Sequence, residues 1–215
     1  LDISGFKASS VVITGGLAGE ITGLGTLAAE TTSFDASAYD STVTVAAATN
    51  TATTFTSKLG GSFTGGAGSD TFTIGSTAGY VGGTSVGTIA GGSGSDTLTI
   101  YSSASADWEL VAAETINMVL DPADSYITNI ATDSADDGLN SATTVNITGG
   151  KAGQVYNNGA HVLADIGLKT LDSTGLTGSF HYHFGDEGLT VTNAADMITI
   201  KGGSGTADAV TAAFS

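Results

Sequence analysis

Two stretches of the chain nearly copy each other: GGAGSDTFTI at Gly65–Ile74 and GGSGSDTLTI at Gly91–Ile100. In each, a glycine-rich turn and an aspartate lead into residues that alternate between threonine and an apolar side chain. Such alternation is typical of a β-strand, and it places Phe72 and Ile74 on the same face. A short strand cannot bury that face alone, whereas stacked coils bury it and satisfy the backbone hydrogen bonds. The pair therefore predicts an all-β chain folded as an irregular parallel β-helix, or β-solenoid.

The unit of strand and glycine turn recurs elsewhere. A degraded third copy, GGSGTADAV, spans Gly202–Val210 and carries Asp208 next to the place of the motif aspartate. A second recurring element, an apolar residue followed by aspartate and small residues, contains Asp2, Asp35 and Asp172. These three aspartates are candidates for a ladder of ligands at one corner of the coil, and the alternative is that they are turn residues. Repeats of about 20–30 residues fit one solenoid turn, and an antiparallel β-sandwich is the alternative fold.

The rhythm breaks between about residues 104 and 140. This stretch holds the only tryptophan, the only proline and an acidic cluster. We predict one solenoid domain over 1–215 with a protruding loop at about 104–140. A short helix near Asp133–Leu139 is a further candidate within it. Because the chain starts at Leu1 without methionine, we expect it to be a fragment of a longer protein.

The composition excludes several classes of partner. The formal net charge is −16, with five lysines and no arginine, and phosphate recognition needs clustered basic residues. We therefore expect no nucleic acid and no anionic lipid as a partner. No apolar run reaches transmembrane length, so membrane insertion is not expected either. There is no cysteine for a disulfide, and divalent cations would neutralise the self-repelling acidic surface.

The glycine-aspartate turns are typical of a calcium site. Ca²⁺ takes six to eight oxygen ligands from carboxylates and backbone carbonyls. Glycine lets successive carbonyls converge on one point, and the 26-residue spacing would bring the two turns into register one coil apart. The alternative is a plain β-turn whose aspartate hydrogen-bonds its own backbone. The candidate ligands are Gly66, Gly68, Asp70, Gly92, Gly94 and Asp96, with Asp35, Asp172 and Asp208 as further candidates.

Two stretches carry a resemblance to a known family. The first is Gly91–Val119, GGSGSDTLTIYSSASADWELVAAETINMV, which resembles the RTX-type surface-layer proteins of Gram-negative bacteria. In that family a Gly-Asp turn opens a strand, and an ETL or ETI strand follows, which here is Glu114–Ile116. TTSFDASAYDSTVTV, Thr31–Val45, is similar to the ladder strands of the same family. The resemblance implies type I secretion, a place at the cell surface, and Ca²⁺-dependent assembly with copies of itself into a two-dimensional lattice. Cell-surface polysaccharide is a further candidate partner.

Three other patterns are candidates for chemistry. Gly83–Gly87 matches the Gly-x-Ser-x-Gly of α/β-hydrolases, but it lies in a glycine- and serine-rich β context where chance matches occur. His181 and His183 alternate on a predicted strand before Asp186 and Glu187, as ligands of Zn²⁺ would; the alternative is an exposed strand face with Tyr182 and Phe184 packed inward. Acidic residues that form either a calcium site or a solvated loop are Asp121, Asp124, Asp133, Asp136 and Asp137.

The sequence thus favours a non-enzymatic, structural segment of a secreted, calcium-dependent surface-layer protein. One alternative is the stalk or ligand-binding segment of a secreted RTX adhesin, because adhesins use the same turns. Another is a carbohydrate-active β-helix enzyme. Enzymes of that class pair carboxylates with basic and aromatic side chains along a sugar groove, and this chain has no arginine.

Overall fold

The computed structural model describes residues 3–4, 6–15, 24–39, 43–48, 52–59, 61–83, 88–106, 110–123, 142–153, 155–157, 169–184, 199–203, 205 and 209–212. Within these residues the chain consists of strands and turns, without a helix. No described segment has the helical length and hydropathy that crossing a bilayer requires.

The described strands number seventeen, and each pairing between them is parallel. The prediction of an all-β, parallel fold is therefore confirmed, and the antiparallel sandwich is wrong. The strands are β1 (Ser10–Gly15), β2 (Ser33–Tyr39), β3 (Thr44–Ala46), β4 (Thr54–Ser57), β5 (Ser62–Thr64), β6 (Thr71–Ile74), β7 (Val81–Gly83), β8 (Thr88–Ala90), β9 (Thr97–Ala106), β10 (Leu110–Ala112), β11 (Thr115–Leu120), β12 (Thr144–Gly149), β13 (Val155–Asn157), β14 (Thr170–Leu176), β15 (Ser179–Phe184), β16 (Thr199–Lys201) and β17 (Ala209–Ala212).

One long parallel sheet organises the fold. Its strands follow the order β1-β2-β4-β6-β9-β11-β12-β14-β16, and β7 pairs with β9 beside this path. A second sheet has the order β10-β8-β5-β3, and a third has the order β13-β15-β17. Between most neighbouring strands of the long sheet the chain contributes a strand to another sheet, as β3 does between β2 and β4 and β15 does between β14 and β16. This path is compatible with a β-solenoid.

The apolar residues that alternate with threonine form one inward column across the long sheet. Phe55 and Phe72 stack with ring centroids 5.0 Å apart and planes 2° from parallel. Phe63, on β5 of the second sheet, packs on Phe55 with centroids 5.9 Å apart, so the two sheets share a core. Each such buried ring contributes about 1.5–3 kcal/mol. The column comprises Val11, Phe34, Phe55, Phe72, Leu98, Ile116, Val145, Leu171 and Ile200.

The loop predicted over about 104–140 is wrong in its first part. Residues 104–106 complete β9, and β10 and β11 follow before Leu120. β11 continues the inward column of the long sheet, because Ile116 pairs with Leu98 on one side and with Val145 on the other, and β10 pairs with β8 in the second sheet. Residues 121–123 form a turn. The rest of the predicted loop and the candidate helix near Asp133–Leu139 lie outside the described residues.

Candidate functional site

The two glycine-aspartate turns stack directly on each other. Thr71 pairs with Thr97 in the long sheet, and the Ser93 amide donates to the Gly66 carbonyl at 3.0 Å. The Asp70 amide donates to Asp96 Oδ1 at 2.8 Å. The prediction that the 26-residue spacing brings Asp70 and Asp96 into register one coil apart is therefore confirmed.

The glycines allow this close stacking. A side-chain carbon on Gly65 would collide with the carbonyl oxygen of Gly91, and one on Gly92 would collide with the carbonyl oxygen of Gly66. Gly92 also has a φ of +98°, a conformation that other residues rarely adopt. The sequence interpretation gave these glycines the task of directing carbonyls at an ion. In the structure they bring two backbones together.

Asp70 is a buried acceptor, with 1% of its surface exposed. Its Oδ1 accepts a hydrogen bond from the Thr53 amide of the preceding coil at 2.7 Å. Its Oδ2 accepts one from the amide of Gly66 in its own turn at 2.9 Å. The side chain therefore joins two coils and closes its own turn. Both hydrogen bonds go to a carboxylate and are stronger than hydrogen bonds between neutral groups.

Asp96 occupies the same place one coil later but is only half satisfied. It is 1% exposed, and its Oδ1 accepts the Asp70 amide. Its Oδ2 has no donor among the residues that the structure describes. Burial raises the pKa of Asp96, the hydrogen bond from the Asp70 amide lowers it, and the neighbouring carboxylates of Glu114 and Asp70 raise it. A buried carboxylate oxygen without a partner is costly.

Glu114 continues the ladder and was missed as a site residue from the sequence. Its Oε2 accepts the Asp96 amide at 2.6 Å. The available signal was the shared order of an acid, threonine and an apolar residue: Asp70-Thr71-Phe72, Asp96-Thr97-Leu98 and Glu114-Thr115-Ile116. The carboxylate ladder is defined here as the buried Asp70 and Asp96 with the half-buried Glu114, each of which accepts the amide of the corresponding residue one coil earlier.

The expected corner ladder of Asp2, Asp35 and Asp172 is wrong for the two members that the structure describes. Asp35 and Asp172 lie on the long sheet, not at a corner, and in the same register column. Six strand steps separate β2 from β14, about 29 Å at ~4.8 Å a step. The two carboxylates are therefore too far apart to share an ion. Asp2 lies outside the described residues.

Asp35 and Asp172 instead shape their own strands. Asp35 Oδ1 accepts the Ser37 amide at 2.8 Å, and Asp172 Oδ1 accepts the Thr174 amide at 3.0 Å. Each local bond lies where β2 or β14 shifts register against its neighbour. The Thr174 hydroxyl and the ion pair with Lys201 at 2.9 Å hold the pKa of Asp172 at about 2.

The remaining candidates contribute little to this site. Asp121 accepts the Ala123 amide at 2.8 Å in an exposed turn. His181 is exposed on β15 next to the buried Phe180, and His183 lies on the same strand. Candidates outside the described residues are Asp208, Asp124, Asp133, Asp136, Asp137, Asp186, Glu187 and 84–87 of the hydrolase-like motif. The side chains of 182–184 are not described either.

The donor set of the ladder fits a hard cation at one position. Both oxygens of Asp70 are engaged by amides, whereas Asp96 Oδ2 is buried and unsatisfied, and carboxylate oxygen is a preferred ligand of Ca²⁺. The described residues contain no group of three or more His, Cys, Asp or Glu side chains placed to hold a metal. An ion at Asp96 would therefore take its other ligands from backbone carbonyls and water.

Comparisons with known proteins found no match to this chain among protein-family models, curated proteins or solved structures.

Proposed function

We propose that the chain is a structural, non-enzymatic segment of a secreted, calcium-dependent surface-layer protein. In this proposal the parallel coils supply a stiff rod, and Ca²⁺ at the carboxylate ladder stabilises the stacking of the glycine turns. Outer surfaces then bind further copies in a two-dimensional lattice. The resemblance of Gly91–Val119 and of the two glycine-aspartate turns to the RTX surface-layer family supports it.

The single observation that carries the calcium part is Asp96 Oδ2. Its buried negative charge lies between Asp70 and Glu114 on neighbouring coils, without a donor among the described residues. A divalent cation would offset this charge. Because an ion bound only by the folded form stabilises it by mass action, stacking of the two turns would depend on its concentration.

The residues of the chain have distinct tasks in this arrangement. Asp70 holds the amides of Thr53 and Gly66 and needs no ion to do so. Asp96 would hold the ion together with backbone carbonyls and water, Glu114 accepts the Asp96 amide, and the glycines let the carbonyl oxygens of one turn lie against the next turn. Ca²⁺ would supply charge neutralisation and a rigid link between coils.

Support for assembly comes from the end of the long sheet at β1. Among the described strands β1 pairs only with β2, so no described strand lies on its other edge, and a strand edge of this kind can template a further strand. Val12 on this strand is 59% exposed, and Phe6 just before it is 68% exposed. An apolar, unpaired strand edge is a surface on which another copy can stack.

A calcium titration followed by light scattering and circular dichroism tests the proposal. We expect the chain to gain thermal stability in millimolar Ca²⁺, to form large particles, and to lose both in chelator. Asp96→Asn should lose most of the calcium response. Glu30→Gln, which removes one charge from an exposed side chain, should retain it.

Three results would count against it. Stiffening without particle growth favours the adhesin segment. Turnover of an acidic glycan favours the enzyme. A calcium response in Asp96→Asn equal to that of the unmodified chain would remove the ladder as the site.

A further inference from the structure

The outward face of the long sheet carries a regular column of hydroxyl groups. On the nine strands of the main path, the first residue of each strand is serine or threonine, and it precedes the residue of the inward apolar column. The register pairs these residues one above the other, and most are half-buried. The column comprises Ser10, Ser33, Thr54, Thr71, Thr97, Thr115, Thr144, Thr170 and Thr199.

A second polar column runs beside the first, two residues further along each strand. Across five consecutive strands, β4, β6, β9, β11 and β12, it consists of Thr56, Thr73, Thr99, Asn117 and Asn146. Together with the first-column threonines of the same strands, these residues are named the threonine face.

The threonine face is periodic in two directions. Its five strands pair without a register shift; the shifts in the long sheet lie at β1–β2, β7–β9 and β12–β14. Side chains therefore repeat about every 4.8 Å across the strands and about every 6.6 Å along them. Threonine is branched at Cβ and restricted at χ1, so its hydroxyl and methyl groups occupy few positions.

Hydrogen bonds hold the amide side chains of this face in line. The Asn146 side-chain amide donates to Asn117 Oδ1 at 2.8 Å. The Asn117 side-chain amide donates in turn to the Thr99 hydroxyl at 3.3 Å. These bonds run along the column from strand to strand and keep the second column in register with the first.

The face is also neutral in a strongly acidic chain. None of its ten side chains is charged, although the formal net charge is −16. The charged residues of the second column, Asp35, Asp172 and Lys201, lie on strands outside the five. Neutrality disfavours an ionic partner, and short side chains without an aromatic ring do not form the stacking platform or groove that a sugar chain needs.

We propose that the threonine face binds ice. Each threonine hydroxyl both donates and accepts hydrogen bonds, and the apolar methyl group beside it forms no hydrogen bond with water. Water bound in such an array is held at repeating positions in two dimensions. The partner that matches a neutral, doubly periodic layer of ordered water is the surface of a water crystal. A flexible polysaccharide chain lacks a fixed repeat in the second direction.

Ice assays on surface variants test this inference. The readouts are thermal hysteresis, the gap between the melting and freezing points of a single ice crystal, and inhibition of recrystallisation. We expect both activities in the unmodified chain. Thr73→Lys and Thr97→Lys, in the centre of the face, should each lose at least half of the hysteresis, because the long charged side chain separates the face from the crystal.

Thr64→Lys is the matched control. Thr64 is exposed on β5 of the second sheet, next to the inward Phe63, and it should keep full activity. Circular dichroism and melting curves of all three variants check the fold, and having two variants on the face guards against the failure of one to fold.

Several outcomes would overturn the inference. The first is thermal hysteresis of the unmodified chain no greater than that of an equal mass of an ordinary globular protein. The second is a loss of hysteresis in Thr64→Lys equal to that in Thr73→Lys and Thr97→Lys. The third is full hysteresis in Thr73→Lys and Thr97→Lys when both are folded. Co-sedimentation with a neutral polysaccharide that Thr73→Lys abolishes, without an ice effect, would reassign the face to sugar. The inference does not depend on the calcium proposal, because the two involve different residues and either can fail alone.

Discussion

Asp70→Ala tests whether the carboxylate ladder stabilises the fold without any ion. The substitution removes the acceptor of two backbone amides, that of Thr53 at 2.7 Å and that of Gly66 at 2.9 Å. Asp70 is 1% exposed and Thr53 is 2% exposed. Water therefore cannot easily replace the lost acceptor.

The expected loss is large. The buried Thr53 amide left without a partner costs about 1–3 kcal/mol, and the half-buried Gly66 amide costs less, so the two together cost roughly 2–5 kcal/mol. A typical domain has only about 5–15 kcal/mol of stability in total. With a urea m-value of about 2–3 kcal/mol/M, a loss near 4 kcal/mol lowers the unfolding midpoint by roughly 1.3–2 M.

Urea unfolding followed by circular dichroism, in chelator, measures this effect. Asp35→Ala is the control, because its carboxylate accepts one local amide, that of Ser37, in an exposed setting. We expect that control to lose less than about 1 kcal/mol. A midpoint of Asp70→Ala within error of the unmodified chain in chelator would refute the reasoning, since the aspartate would then matter only through an ion.

Three further substitutions give separable outcomes. Burial raises the pKa of Asp96 above 3.8, so the folded form binds a proton more tightly than the unfolded chain and stability falls as the pH rises through the raised pKa. In chelator, the gain in melting temperature as the pH is lowered from neutral toward 3.8 should therefore be smaller in Asp96→Asn than in the unmodified chain. The Thr174 hydroxyl and Lys201 lower the pKa of Asp172 from 3.8 to about 2. The ionised carboxylate therefore stabilises the folded chain fully above pH 3.8, and this stabilisation is lost as the pH falls toward 2. Asp172→Asn should have a lower urea midpoint than the unmodified chain near neutral pH, and the two midpoints should be equal near pH 2. Gly92 has a φ of +98° and no room for a side chain, so Gly92→Ala should lower the free energy of unfolding in urea by about 1–3 kcal/mol. Gly79→Ala is the control, because nothing lies within 4 Å of the added carbon, and its stability should be close to that of the unmodified chain.

The candidate site was only partly predictable from the sequence. The repeated turns located Asp70 and Asp96 and placed them one coil apart, because both the motif and its 26-residue spacing are visible in one dimension. Glu114 follows Asp96 by 18 residues and has no glycine turn before it. Because the length of each coil depends on its loops, a search for a fixed repeat length does not locate Glu114. Asp35 and Asp172 have similar local sequences and nevertheless lie six strand steps apart.

The sequence by itself determined the β class and the inward and outward faces of the strands that follow the glycine-aspartate turns, because alternation of threonine with apolar residues is a local property with a period of two. Only the tertiary structure decided that the strands pair in parallel, which strands became neighbours, where each carboxylate points and which threonines share one face. Those relations depend on register between coils separated by 17, 26, 18 and 29 residues. The register is set by the packing of the inward column and by amides that find their acceptors on the next coil.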